Sequence, residues 1–218
     1  MDSSIDPRNL PFGMYDIDGD LLNKLRGIND NIPNSDYEEH GGAKKFYCGP
    51  VAEHEGVPLF VPVSHQTKPA PTPGQDIPYT RLITDKGENV GSLNYKYMVP
   101  VADARFIEPR TNLGAYGQKQ ADCCMAMERS IKADAREKHN EYVDFENIKT
   151  TAHNINDLID ANFELADELD ARMEAETKTP APVKQPESKP NIMDSRVKTA
   201  NTLSTNSTAN YSNDFSKV

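Results

Sequence analysis

Apolar positions along the 218-residue chain change period three times, and each change marks a different kind of element. Leu21, Leu22, Leu25 and Ile28 recur at i, i+1, i+4 and i+7, which predicts a helix over 18–28. Asp18 or Asp20 supplies its cap, and Gly27 lies near its end. Residues 1–13 are punctuated by Pro and Gly and read as an N-terminal extension. Pro33-Asn34-Ser35 reads as a turn, and 37–43 as a polar loop. The pattern then turns strand-like. Lys45–Val51 and Val57–Val63 flank Glu53-His54-Glu55-Gly56, a hairpin signal. After the Pro-rich stretch 66–78 come Tyr79–Thr84, the turn Asp85-Lys86-Gly87, and Val90–Val101 as one long strand or two short ones. Arg105–Ile107 extends the sheet. From 118 onward the period is helical. Cys124, Met127, Ile131 and Ala135 mark a helix over 118–142. Ile155, Leu158, Ile159, Phe163, Ala166, Leu169 and Met173 mark a second over 154–175, with Asn154 as its cap. Short intervals with no crossover helix imply antiparallel pairing. The expected fold is α+β, a compact twisted antiparallel sheet, small and barrel-like, with packed helices and long C-terminal ones.

Composition changes this picture at one end. Only 36% of residues are hydrophobic. The deficit concentrates beyond Thr177, where TKTPAPVKQPESKP leads into a Ser/Thr/Asn-rich run without a sustained apolar period. Such a segment buries too little surface to offset its ordering entropy, so 177–218 is expected to be a disordered tail. The tail carries +3 of the chain's −10, leaving a body of −13. An acidic body argues at first against a nucleic-acid partner. No apolar run approaches the roughly 20 residues of a membrane span, and no basic-then-apolar leader opens the sequence. Cys48, Cys123 and Cys124 form no disulfide framework. The expectation is a cytoplasmic protein without membrane contact, and Cys123-Cys124 reads as helix packing.

Nucleotide-phosphate loops, Rossmann glycines, zinc cysteine pairs and HExxH are all missing from the sequence, and its five His are scattered. No metal or cofactor is expected. One region carries concentrated chemistry. The strand Leu59-Phe60-Val61-Pro62-Val63 runs into Ser64-His65-Gln66-Thr67-Lys68. In an antiparallel hairpin the start of the first strand lies beside the end of the second, which brings Lys45 to Ser64 and His65. Lys44 precedes it, and Tyr37 and His40 lie just upstream. Cations, hydroxyls and an imidazole in one place suit phosphate chemistry. RNA cleavage by its own 2′-OH needs a base, an acid for the leaving oxygen, and cations for the developing charge.

These residues resemble those of the ToxN/AbiQ-type endoribonuclease toxins of bacterial type III toxin–antitoxin systems. The resemblance rests on Met14-Tyr15-Asp16-Ile17, Leu25, Asn31-Ile32-Pro33-Asn34-Ser35, Lys45, Tyr47, Gly49, Gly56 and Val61-Pro62-Val63-Ser64. Its most specific piece is the run Val90-Gly91-Ser92-Leu93-Asn94-Tyr95-Lys96-Tyr97-Met98-Val99-Pro100-Val101. It spans residues 14–105 and makes 14–176 the expected toxin domain. It implies metal-independent cleavage of single-stranded RNA to 2′,3′-cyclic phosphate and 5′-hydroxyl ends. It also implies inhibition by a repetitive pseudoknot antitoxin RNA, a ring-like protein–RNA assembly, and a role in phage defence by abortive infection or in plasmid maintenance. Cellular or phage mRNA would be the substrate.

Carried over by position, the family's lysine falls on Lys45 and its Thr-Ser pair on Ser64 and His65. Its following lysine falls on Thr67 or Lys68, and its loop tyrosine on Tyr37 or His40. A tyrosine expected in the first C-terminal helix has Tyr116 as its nearest counterpart. Lys45, Ser64 and His65 are thus the expected catalytic residues. Tyr37, His40, Lys44, Thr67, Lys68, Arg81 and Lys96 are the expected RNA contacts. His65, standing where the family has Ser, is a departure. A catalytically lapsed RNA-binding module, an acidic protein-interaction domain and a MazF-type toxin are the competing readings. Under the toxin reading, RNA meets a local basic groove on an otherwise repelling body.

Overall fold

The computed structural model describes residues 6–30, 32–33, 45–72, 76–144 and 155–178. Tyr37, His40 and Lys44, the expected cap Asn154, and the expected tail from Thr179 onward lie outside the described residues, whereas Thr177 and Lys178 of that expected tail are helical. The chain forms β1 (Gly13–Ile17), α1 (Gly19–Ile28), β2 (Tyr47–His54), β3 (Val57–Ser64), β4 (Tyr79–Ile83), β5 (Asn89–Asn94), β6 (Val99–Pro100), β7 (Ile107–Pro109), α2 (Gly114–Ala126), α3 (Glu128–Asp144) and α4 (Ile155–Lys178). Asp18 caps α1 by accepting from the backbone N–H groups of Asp20 and Leu21.

The fold is α+β, and every strand pair is antiparallel. The strand order is β4-β5-β3-β2-β1-β7, and β6 pairs with β3 beyond β5. The sheet is open, so the barrel-like expectation is corrected. Closure would need β4 to bond β7. β7 is only three residues long, pairs with β1, and ends on Pro109, which has no N–H to donate. The expected segment 90–101 is two strands on one edge of β3, separated by the 3-10 turn Tyr95–Tyr97. β1 was not expected from the pattern. Its Met14 and Tyr15 face opposite cores, so five residues show no alternation of apolar with polar.

Both faces of the sheet are covered. Val61, Val63, Leu82, Leu93 and Cys48 pack with Cys124, Ile131 and Ala135 of α2 and α3. Tyr15, Tyr47, Phe60 and Val99 pack with Leu21 and Leu25 of α1 and with Leu158 and Leu165 of α4. This explains the almost unbroken apolar run of β3, since a strand buried on both faces has no solvent side. Leu10 and Phe12, within the expected N-terminal extension, pack against the two cores. The expected 118–142 helix is two helices meeting at Met127. In α4 the buried row is Leu158, Ile159, Ala161, Asn162, Leu165 and Ala166, whereas Phe163 and Met173 are exposed. Asn162 belongs to that row because its side chain accepts from Ala102 N–H and donates to the Leu158 carbonyl.

Candidate functional site

The site is built on the end of β3. The β2–β3 register pairs Tyr47 with Pro62 and Cys48 with Val61. The Val63 N–H donates to the Phe46 carbonyl at 3.0 Å, continuing that register by one residue. The next step brings Lys45 level with Ser64. On the other side, Ser64 pairs with Ser92, and Ser92 pairs with Arg81. Directly paired residues share a face of the sheet. Ser64, Ser92 and Arg81 therefore form one row across β3, β5 and β4, and the β2–β3 register, carried two residues ahead of β2, extends it to Lys45. With neighbouring strands about 4.8 Å apart, the row is roughly 14 Å long at the backbone. A cation stands at each end and two hydroxyls stand between.

The environment of each member is distinct. Lys45 and Arg81 are half-buried. Arg81 Nε is buried and has no hydrogen-bond partner among the described residues. Ser64 Oγ accepts from the Gln66 N–H at 3.1 Å, which leaves its own O–H free to point at a ligand oxygen. Ser92 is fully buried and its Oγ donates to the Gln66 carbonyl at 3.0 Å.

His65 follows Ser64 and is exposed. Its ring centroid lies 5.2 Å from that of Tyr116, at the start of α2. The Tyr116 hydroxyl donates to the Val90 carbonyl at 2.9 Å. The helix tyrosine sought in the sequence is thus set against His65. Lys68 is half-buried in the segment after β3, and Thr67 is exposed beside it. Lys96 is exposed in the 3-10 turn beyond β5 and lies outside the row.

Three residues that organise this region carry no motif: Asn89, Ser92 and Gln120. Ser92 stood in the resembling run but was not singled out. Gln120 sits in a polar helix stretch, where only its complete burial sets it apart.

No protein-family model matches the chain, and no curated protein is significantly similar in sequence. Solved structures do match. One comes from work on bacterial type III toxin–antitoxin systems and selective toxin inhibition by a non-coding RNA pseudoknot. It is 14% identical and matches 78% of this chain and 100% of its own, with a TM-score of 0.50. The chain has the fold of a type III toxin. A second structure, from a bacterial antiviral system regulated by a processed non-coding RNA, is 21% identical. It matches 72% of this toxin-fold chain and 95% of its own, with a TM-score of 0.51. A third is AbiQ, a lactococcal anti-phage endoribonuclease of the type III class, at 16% identity, 78% and 100% coverage, and a TM-score of 0.49.

Proposed function

We propose that this protein is a metal-independent endoribonuclease toxin that cuts single-stranded RNA. The observation that carries this reading is the cross-strand row of Ser64, Ser92 and Arg81, extended by register to Lys45, with His65 next to Ser64 in the chain and set against Tyr116. The type III toxin fold agrees with it.

The reaction requires the 2′-oxygen to attack phosphorus while the bond to the 5′-oxygen breaks. One group takes the 2′-OH proton and another gives a proton to the departing oxygen. His65 is one of the two. Lys45, with Lys68 and Arg81, balances the charge that develops on the phosphate. The Ser64 hydroxyl donates to a phosphate oxygen or to the 2′-oxygen. The products are a 2′,3′-cyclic phosphate and a 5′-hydroxyl. The inhibitor in this reading is a repetitive pseudoknot RNA, the assembly is a ring of toxin and RNA, and the role is phage defence or plasmid maintenance.

Purified protein and its Lys45→Ala variant, incubated with cellular RNA, test the reading. Wild type should cleave, and mass spectrometry should find cyclic-phosphate and 5′-hydroxyl ends. Loss of the charge-stabilising lysine should lower kcat on the order of 10²- to 10³-fold without unfolding the protein. Products with 5′-phosphate ends would overturn the mechanism. An intact Lys45→Ala rate would overturn the site. Failure of wild type to cleave would leave an RNA-binding module.

A further inference from the structure

Main-chain pairing of β3 stops at Ser64, yet the chain does not leave the sheet there. Three side chains take up its carbonyls at every second residue. Gln120 Nε2 donates to the Ser64 carbonyl at 3.3 Å and to the Val90 carbonyl at 2.7 Å. Ser92 Oγ donates to the Gln66 carbonyl at 3.0 Å. Asn89 Nδ2 donates to the Lys68 carbonyl at 3.1 Å. In an extended chain, alternate carbonyls turn to the same side, so all three bonds can be made along one edge.

The donors are themselves held. Asn89 Oδ1 accepts from the Gly91 N–H at 3.2 Å, and Gln120 is fully buried on α2. Gly91 makes the close approach possible. A Cβ there would lie 2.2 Å from the Ser64 carbonyl oxygen and 2.6 Å from Gln120 Nε2.

We propose that Asn89, Ser92 and Gln120 are positioning residues: they form a side-chain ladder that fixes the segment 64–68, and with it Ser64, His65 and Lys68, for the cleavage reaction. This rests on the ribonuclease reading given above. The physical need is plain. The segment bears a hydroxyl, an imidazole and an ammonium on consecutive or near-consecutive residues, and the Pro-rich stretch beyond it offers few N–H donors for pairing. Without the ladder its backbone polar groups would turn to water and its side chains would sample many geometries. Misplacement of reacting groups by about 1 Å costs on the order of 10²-fold in rate.

The ladder is tested by removing one donor at a time. Asn89→Asp is isosteric and keeps the acceptor for Gly91 N–H while replacing the donor to Lys68. Ser92→Ala removes only a hydroxyl. For each full-length variant, two quantities are measured. The first is the backbone order parameter of residues 65–68 by NMR. The second is the apparent kcat and KM on a pool of random-sequence oligoribonucleotides. We expect order parameters in 65–68 to fall from about 0.85 toward 0.6 while β2 and β6 stay rigid. We expect kcat to fall ten- to hundredfold with KM changed less than about twofold, and Ser92→Thr to recover most of the loss. Unchanged order parameters in both donor-deletion variants would overturn the ladder. Lowered order parameters with a wild-type kcat would overturn its positioning role. A wild type that cleaves nothing would overturn the ribonuclease reading instead, and the NMR arm would still decide whether the ladder exists.

Discussion

At Gly91 two demands coincide in one residue. Its φ of +148° is a backbone conformation that side chains rarely adopt, and its α-hydrogen faces the Ser64 carbonyl. Gly91→Ala should therefore cost about 3 kcal/mol or more, from backbone strain together with overlap against main-chain atoms that cannot swing away. Urea unfolding checks this, and a midpoint within error of wild type would show that β5 relaxes freely around residue 91. Single residues were unequally legible in the sequence. The proximity of Lys45 and Ser64 followed from hairpin register, a local rule. Gln120 and Asn89 were illegible, because their partners are carbonyls 56 and 21 residues away and leave no trace in side-chain pattern. Arg81 was named from the sequence as a cation, but its place in the row depends on the long-range β3–β5 pairing.

Elements lock to each other through a few side-chain polar contacts. His54 at the end of β2, His139 on α3 and Asn156 on α4 form one chain, with His54 Nδ1 3.0 Å from His139 Nε2 and His54 Nε2 2.9 Å from Asn156 Oδ1. With the Asn156 oxygen accepting from Nε2–H, a neutral His54 presents Nδ1 as the acceptor for His139 Nε2–H. Burial, together with the neighbouring His54, holds the His139 pKa below its ordinary value of 6.5. The sign follows from linkage. Above 6.5 both states are neutral there and the pair is fully stabilising. As pH falls below 6.5 the unfolded chain takes up the proton first, so stability falls until the native His139 also protonates, then levels off. Unfolding midpoints measured between pH 7.5 and 5.0 should drop more for wild type than for His139→Gln, and equal slopes would remove His139 as the cause.

Helix existence was legible from apolar spacing in α1 and α4, and the α1 cap was narrowed to Asp18 or Asp20, of which the structure selects Asp18. The buried face of α4 was read too far toward Phe163 and Met173, because Asn162 is core for its hydrogen bonds and not for its hydropathy. The break at Met127 was hidden because Cys124, Ile131 and Ala135 remain in phase across it.

For the molecule as a whole, the −13 body and the site must be reconciled. Part of the acidity is paired with cations away from the row. On α4, Glu164 and Glu168 meet Lys24, and Asp170 meets Arg105. Asp76 and Glu141 both meet the buried Lys138. RNA held by Lys45, Lys68 and Arg81 would neutralise about three phosphates. The log of its affinity should then fall against log salt with a slope of about −2. Arg81→Ala should flatten that slope by about 0.7, and a slope near zero would exclude phosphate contacts as the basis of binding.

By itself the sequence determined what local rules govern: the α+β order, the β2–β3 hairpin, the choice of Asp18 or Asp20 as the α1 cap, and the register that carries Lys45 toward Ser64. Each depends on spacing within a few residues or on one short turn. Only the tertiary structure decided that the sheet is open, that Arg81 and Ser92 complete the row, and that α2 sends Tyr116 to His65 and Gln120 to the Ser64 carbonyl. Those contacts join segments far apart in the chain, and they are made by burial and by unpaired backbone groups seeking partners, neither of which has a period to read.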